Sequence, residues 1–198
     1  MKSASHQLDL ARGRCDVSRY PAVLSFLLAL VVSIPFPAAS ATPTVVTDTG
    51  SFIGVPSPSK AGVEAFFGIR YAAPPEGARR WTPPQPPAVP AGTLVAAIPG
   101  PACPQPASTA PLPQSEDCLF LNVYVPAGAP ATAKRPVFVW IHGGALVTGT
   151  GAIYDPSVMV AQNDIVVVTI NYRLGALGWL VEPGLLAAAS NLDRKSVV

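Results

Sequence analysis

The feature that most constrains the fold of this 198-residue chain is the segment of residues 135–151, RPVFVWIHGGALVTGTG. Its residues 137–141 are all apolar, with no polar residue alternating between them. Such a run predicts a strand that is buried on both faces, as in a parallel sheet. The run stops at His142, and small residues that allow a sharp turn follow it: Gly143, Gly144 and Ala145. Because open α/β sheets bind ligands at the carboxyl ends of their strands, we expect a functional site at this turn.

Three kinds of ligand site place glycines directly after a strand. A Walker loop is disfavoured because Thr150 and Gly151 follow Gly149, where a Lys and a Ser or Thr belong. A dinucleotide fingerprint is disfavoured because Tyr154 takes the place of its third glycine. An oxyanion hole remains, since esterases place an HGGG-type turn after an early strand and use one of its backbone N–H groups. From this motif alone, a tight turn whose glycines serve only its geometry is equally consistent.

The segments on the N-terminal side predict further strands. Residues 42–53 alternate valines and threonines around a turn at Gly50, which indicates a hairpin. Residues 63–71 form a second strand candidate, and together the two predict a small antiparallel meander that precedes the main sheet. Residues 74–113 contain thirteen prolines and predict a long irregular segment attached to the protein surface. Residues 119–125 alternate in polarity and predict a strand with one covered face.

The segments that follow the glycine turn predict a crossover to another buried strand. Asp155 and Pro156 are suited to the N-cap and first position of a short helix that continues through Gln162. Residues 165–170 form a second continuous apolar run. The order strand, helix, strand predicts a parallel pair and an α/β fold.

Residues 1–41 have the features of a secretory signal peptide. Four basic residues precede the nearly unbroken apolar stretch 21–36, and the small-x-small sequence 39–41 predicts cleavage before Thr42. The apolar stretch is shorter than the ~20 residues that a membrane-spanning helix needs. We therefore expect a secreted, periplasmic or extracellular protein with no membrane segment in its mature form.

Charge and cysteine content limit the partners of the mature chain, residues 42–198. The signal segment holds four of the 13 basic and two of the 11 acidic residues, which leaves nine of each. This balance, without any basic run, argues against nucleic acid as a partner. Cys15 lies in the signal segment, and the remaining pair, Cys103 and Cys118, favours a disulfide in an exported chain.

With these segments in place, the sequence resembles the N-terminal part of the type-B carboxylesterases, the cholinesterase and carboxylesterase family of α/β-hydrolases. The motifs that carry the resemblance occur in the family's order. They are FGIRY at 67–71 with APP at 73–75, RW at 80–81, SEDCLFLNVYVP at 115–126, WIHGGA at 140–145, and NYRLG at 171–175 with GW at 178–179. The resemblance implies an α/β-hydrolase fold, present here as its N-terminal part only, with an antiparallel meander that leads into a central, mostly parallel sheet.

The resemblance also assigns roles to individual residues. Gly144 and Ala145 match the pair whose backbone N–H groups face the substrate oxyanion, and Gly143 shapes the turn. His142 does not match the family's catalytic histidine, and we expect it to stabilise the turn. The resemblance further implies a Cys103–Cys118 disulfide, an ion pair between Arg80 and Glu116, and a second pair whose cation would be Arg173 and whose aspartate has no clear match in this chain. It implies neither a cofactor nor a metal.

The functional expectation is a secreted serine ester hydrolase that forms an acyl-enzyme with a small-molecule carboxylic ester. The 198 residues contain no Gly-x-Ser-x-Gly nucleophile turn and no match to the family's catalytic acid and histidine. We therefore expect residues 42–198 to be the N-terminal portion of the family's domain, ending before the nucleophile, and to be inactive alone. The alternatives are a non-catalytic binding or adhesion member of the family and a non-functional truncated product.

Overall fold

The computed structural model describes residues 44–106, 113–130 and 132–180 together with residue 184. The proposed signal peptide and its cleavage site lie outside these described residues. Among the described residues, no helix has the length and the apolar character that crossing a membrane requires.

The described residues form two sheets and two short α-helices. The strands are β1 Thr44–Thr47, β2 Gly50–Ile53, β3 Val55–Pro56, β4 Val63–Arg70, β5 Thr93–Val95, β6 Phe120–Pro126, β7 Val137–Ile141 and β8 Val166–Ile170. The helices are α1 Ser157–Asn163 and α2 Gly175–Trp179.

The smaller sheet contains the predicted hairpin. β1 pairs antiparallel with β2, and Thr47 lies opposite Gly50 across a two-residue loop. The Thr47 hydroxyl closes this turn by donating to the carbonyl oxygen of Gly50, 2.9 Å away. β5, which comes from the proline-rich segment, pairs parallel with β2 and completes the order β1-β2-β5.

The larger sheet has the strand order β3-β4-β6-β8-β7. β4 belongs to this sheet and pairs antiparallel with β6, so the prediction of one small meander that precedes the main sheet is wrong in its sheet assignment. Local alternation predicts a strand but not its partner, because pairing depends on contacts between segments far apart in sequence.

The predicted strand, helix and strand unit is confirmed. β7 and β8 are parallel, in register from Val137 opposite Val166 to Ile141 opposite Ile170, and α1 lies in the connection between them. Asp155 accepts a hydrogen bond from the backbone N–H of Ser157 at 2.9 Å. The helix begins at Ser157 with Pro156 as its N-cap and ends at Asn163, so both ends lie one residue later than predicted.

The prediction that β7 is buried on both faces is wrong for the described residues. All five of its residues are exposed, from 38% at Trp140 to 62% at Val137. The reason is the strand order: β8 lies between β6 and β7, so β7 is the edge strand of this sheet. An apolar run indicates that a strand is buried when other segments pack against it, but it does not indicate which segments these are.

The burial of the two faces of β6 also differs from what its sequence suggests, since an alternating strand would be expected to bury its apolar face. The face with Asn122 and Tyr124 is buried, whereas Leu121, Val123 and Val125 on the opposite face are partly buried. Asn122 tolerates burial because its amide is paired: it donates to the Thr169 hydroxyl at 3.1 Å and accepts from the Gly68 N–H at 3.0 Å. Tyr124 packs in a core cluster that includes residues from β4, β8 and α1. Both faces of β6 are thus covered to some degree, and the more polar face is the better buried.

The proline-rich segment lies against the rest of the protein, as predicted. The indole N–H of Trp81 donates to the carbonyl oxygen of Ala176 at 2.9 Å, and the Arg173 guanidinium donates to that of Thr82 at 3.0 Å. The described residues of this segment contain a 3₁₀ turn, Gly77–Arg79, and the strand β5, and are otherwise irregular.

Candidate active site

The glycine turn directly follows β7 and has an unusual backbone. Gly144, Ala145 and Leu146 have φ angles of 123°, 53° and 63° in succession. Residues other than glycine reach this left-handed region only at a cost of roughly 1–2 kcal/mol each. The turn is closed by the backbone N–H groups of Val147 and Thr148, which both donate to the Gly144 carbonyl oxygen at 3.0 Å.

The two glycines of the turn have different steric surroundings. A Cβ atom on Gly144 would lie 2.0 Å from the carbonyl oxygen of Thr148, whereas a Cβ atom on Gly143 would meet nothing within 4 Å. Glycine at position 144 is therefore required by both backbone angle and space. Neither requirement applies at position 143.

The turn forms one wall of a cleft with a volume of about 230 Å³. The residues that line it come from the end of β7, from the turn itself and from the segment after β8: Ile141, His142, Gly143, Gly144, Ala145, Leu146, Tyr172 and Trp179. No described residue accepts a hydrogen bond from the backbone N–H of Gly143, Gly144 or Ala145. Since backbone N–H groups need a partner, these donors are suited to bind an oxygen atom of a ligand.

His142 is buried, with only 2% of its surface exposed, beneath the turn. Burial lowers the pKa of its imidazole, so the ring is neutral at neutral pH. Its Nδ1 atom lies 2.8 Å from the Gly143 carbonyl oxygen. A carbonyl oxygen can only accept, so Nδ1 carries the proton of the neutral ring.

Tyr172 holds this imidazole in place. The two rings stack with their centroids 4.3 Å apart, and the Tyr172 hydroxyl donates to the His142 carbonyl oxygen at 2.7 Å. This is the geometry expected of a histidine that stabilises the turn.

The bond between His142 and Gly143 has a direct effect on Gly144. The carbonyl group of Gly143 and the N–H group of Gly144 belong to one trans peptide, so they point in opposite directions. Holding the carbonyl oxygen on the imidazole therefore fixes the direction of the Gly144 N–H, away from the imidazole. The imidazole thus orients one of the two predicted oxyanion donors.

The other residues singled out from the sequence lie outside the cleft lining. Cys103 and Cys118 are buried and form a disulfide, with their Cα atoms 5.0 Å apart. Arg80 and Glu116 form a two-pronged ion pair with N–O distances of 2.5 Å, which lowers the pKa of the Glu116 carboxyl. The Arg80 side chain is 42% exposed, so solvent screens this pair.

Arg173, the cation of the predicted second pair, is 5% exposed. Burial lowers the pKa of its guanidinium. Its guanidinium donates to the carbonyl oxygen of Thr82 at 3.0 Å.

The sequence analysis missed several contacts. Arg70 and Asp117, both inside motifs that carried the resemblance, form a bidentate ion pair, with Nη2 and Oδ2 2.7 Å apart. Gln105 and Asn171 bind the segment that follows the turn through their side-chain amides. No local pattern in the sequence pointed to these contacts, because each joins residues that are at least 20 positions apart. In the part of the chain that the structure describes, no three His, Cys, Asp or Glu side chains are grouped to hold a metal ion.

Comparison with known proteins assigns the chain to a family. Residues 41–192 match the model of the carboxylesterase family. The chain is 39% identical over 176 residues to the medium-chain fatty acyl-CoA hydrolase precursor of Anas platyrhynchos, a match that covers 77% of this chain and 32% of the relative. It is 45% identical over 146 residues to the para-nitrobenzyl esterase of Bacillus subtilis strain 168, covering 69% of this chain and 28% of the relative.

Solved structures give the same assignment for the fold. The crystal structure of Aspergillus niger EstA superposes with a TM-score of 0.67 at 36% identity, over 75% of this chain and 29% of EstA. The described residues therefore form a part of the α/β-hydrolase fold, as predicted. The chain spans about a third or less of the length of the relatives named above. With its family model, its relatives and its fold in agreement, the chain belongs to the carboxylesterase family.

Proposed function

We propose that residues 42–198 form the oxyanion-binding part of a secreted carboxylic ester hydrolase that acts through a serine acyl-enzyme. The observation that carries this proposal is the pair of N–H groups of Gly144 and Ala145, which have no acceptor among the described residues and lie in the wall of a cleft. The relatives support the ester class, since the names of the two quoted above are those of an acyl-CoA hydrolase and an esterase.

In this mechanism the serine oxygen attacks the carbonyl carbon of the ester, and the electron pair of the C=O bond moves to oxygen. The resulting oxyanion accepts hydrogen bonds from Gly144 and Ala145, while Gly143 shapes the turn. One such donor typically stabilises the transition state by ~2.7–4 kcal/mol, because it is already oriented before the charge develops. The proton of the serine hydroxyl passes to the catalytic histidine, which gives it to the alcohol as the tetrahedral intermediate collapses, and water then hydrolyses the acyl-enzyme.

The nucleophile in this proposal comes from outside the 198 residues. These residues contain no Gly-x-Ser-x-Gly sequence. His142 is a poor candidate for the general base, because the nitrogen that could accept a proton, Nε2, is buried and has no hydrogen-bond partner among the described residues. We therefore assign the serine, the acid and the catalytic histidine to residues beyond this chain and the oxyanion donors to residues within it.

The second candidate function is that of a non-catalytic binding or adhesion member of the family, which the missing nucleophile motif would equally suit. Translating the coding DNA beyond the Val198 codon in all three frames separates the two. A Gly-x-Ser-x-Gly sequence followed by an acid and a histidine favours the hydrolase. Their absence favours the binder or a non-functional product.

The first experiment is an assay of the exported protein, residues 42–198, with a short-chain nitrophenyl ester, beside the variant Gly144→Asp. We expect neither protein to exceed the uncatalysed rate, because oxyanion donors act only after a nucleophile has attacked. Turnover by the unmodified chain that is lost in Gly144→Asp would show that an unexpected nucleophile lies within these residues.

The second experiment uses a fluorophosphonate, which transfers its phosphonyl group to an activated serine as fluoride leaves. We expect no labelling of the 198-residue chain and labelling of one serine in a longer polypeptide that carries the downstream frame. A longer polypeptide that contains the motif, is folded and remains unlabelled would argue against the acyl-enzyme proposal.

A further inference from the structure

Gln105 makes a two-pronged contact with the segment that follows the glycine turn. Its side-chain Oε1 accepts from the Gly149 N–H at 2.9 Å, and its Nε2 donates to the Gly149 carbonyl oxygen at 3.0 Å. The amide thus satisfies both polar groups of one backbone residue, as a neighbouring strand would. The two residues are 44 positions apart in the sequence.

Gly149 in turn packs directly against the hydrogen bond that orients the oxyanion donor. A Cβ atom on Gly149 would lie 2.3 Å from the His142 Nδ1 and 2.8 Å from the Gly143 carbonyl oxygen. The Gly149 backbone therefore limits the space available to the imidazole and to the Gly143 peptide. A shift of Gly149 away from the ring would let both groups move.

Gln105 itself is held in the loop that the disulfide closes. Its Nε2 also donates to the Cys103 carbonyl oxygen at 3.1 Å, and its backbone N–H donates to the side-chain oxygen of Gln114 at 2.6 Å. Asn171 joins the same loop to the next residues of the turn segment: it accepts from the Gly151 N–H at 2.9 Å and donates to the Cys118 carbonyl oxygen at 3.1 Å. The described residues at the two ends of the disulfide loop therefore support the end of the turn.

We propose that Gln105 is a positioning residue for the oxyanion turn: its amide holds Gly149 against His142, and so maintains the bond that directs the Gly144 N–H. This inference rests on the proposed function for its catalytic meaning. Its structural content concerns contacts alone, so it can be tested without any ester. The disulfide acts in the same chain of contacts, because it holds the loop that carries Gln105.

The test measures amide hydrogen exchange by NMR in the oxidised, exported protein, residues 42–198, with 15N-labelled glycine, valine and histidine. In Gln105→Ala the Gly149 amide loses its acceptor, so we expect its exchange to accelerate roughly tenfold. The Nδ1–H signal of His142 should broaden or disappear. The amide of Val167, buried in β8, reports global unfolding and should keep its rate.

Gln85→Ala is the matched control. Gln85 also donates its amide to a backbone carbonyl oxygen, that of Pro83 at 3.0 Å, in a different loop. It should leave the Gly149 and His142 signals unchanged. An unchanged Gly149 rate in Gln105→Ala, or an equal acceleration of Gly149 and Val167, would overturn the proposal.

The variant Gln105→Glu supplies a conservative rescue that a merely space-filling role would not show. Below the pKa of the introduced carboxyl, normally ~4.3, its O–H can donate to the Gly149 carbonyl oxygen as the amide does. Above that pKa the donor is lost and a negatively charged oxygen faces the Gly149 carbonyl oxygen, a repulsion that should displace Gly149. We therefore expect protection of the Gly149 amide at low pH and weaker protection as the pH rises. Protection that does not depend on pH would contradict the proposal. None of these measurements involves catalysis, so they remain decisive even if the proposed hydrolase function fails.

Discussion

At the scale of single residues, the turn depends on a backbone angle that only glycine adopts readily. Gly144 combines a φ of 123° with a space that a Cβ atom would fill to within 2.0 Å of the Thr148 carbonyl oxygen. Gly143, its neighbour, has open space at the Cβ position. The structure therefore requires glycine at position 144 but not at position 143, so a substitution of Gly143 serves as the control for one of Gly144.

We expect Gly144→Ala to lower the free energy of unfolding by at least ~2 kcal/mol, since it adds a steric clash to a strained φ. Gly143→Ala should change it by less than ~1 kcal/mol. Urea denaturation of the exported chain and of both variants measures the difference. Equal losses in the two variants would show that the turn is not built as described.

Because Tyr71 is partly buried, its contribution to the free energy of unfolding depends on pH. Its hydroxyl donates to the Asn171 carbonyl oxygen at 2.7 Å, and burial raises its pKa to about 12, against the opposing charge of Arg173. The unfolded chain would ionise this phenol near pH 10. The stability that the protonated phenol contributes is thus fully present below pH 10 and is lost as the pH rises towards 12.

The prediction is that the free energy of unfolding of the chain declines from pH 10 to 12 and that Tyr71→Phe makes this decline shallower. At pH 7 the variant should be less stable by ~1 kcal/mol, because it lacks one hydrogen bond. Some decline should remain, since burial also raises the pKa of Tyr124 to about 12. Denaturation midpoints at several pH values provide the measurement, and parallel profiles for the two proteins would contradict the assignment.

At the scale of elements, β7 is the most exposed strand of the larger sheet. Its residues are apolar, and among the described strands it pairs only with β8. An unpaired apolar edge is a template for association with other chains. The chain by itself should therefore aggregate through this strand.

We expect Val139→Lys to increase the fraction of soluble monomer, because a charged side chain on an edge strand opposes edge-to-edge pairing. Val158→Lys on α1 is the control, since Val158 is 53% and Val139 51% exposed but Val158 lies on a helix. Size-exclusion chromatography with light scattering measures the monomer fraction. An equal gain in both variants would point to net charge rather than to the strand edge.

At the scale of the whole molecule, the export signal and the disulfide make one joint prediction. If residues 1–41 direct export and are removed, the mature protein begins at Thr42 and lacks Cys15. Its two remaining cysteines are then bonded to each other, as the structure places them. Closing a loop of this size stabilises a fold by ~3 kcal/mol in the chain-entropy model.

Intact mass spectrometry of exported protein measures both features. We expect the mass of a chain that begins at Thr42. Its cysteines should take up no alkyl group without reductant and two alkyl groups after reduction. Two alkyl groups before reduction would contradict the disulfide. A mass that includes residues 1–41 would contradict cleavage.

The local features of the fold could be predicted because neighbouring residues determine them. The hairpin at Gly50 was predicted from turn chemistry, the strand cores of β4, β6, β7 and β8 from runs and alternation, and the start of α1 from Asp155 and Pro156. The candidate site was predicted from three small residues that follow an apolar run. In each case the physical cause acts over a few residues, through backbone sterics, capping or side-chain periodicity.

The pairing of the strands and the contacts that support the glycine turn could be learned only from the three-dimensional structure. Strand order places β8 between β6 and β7, so that β7 is at the edge although its sequence is typical of a buried strand. The paired amide of Asn122 allows the more polar face of β6 to be the better buried. The contact of Gln105 with Gly149 joins residues 44 positions apart, and neither has a local pattern that predicts the other. Such contacts depend on the arrangement of the whole chain, because long-range pairing is chosen by the total burial and hydrogen bonding that it allows and not by any one segment.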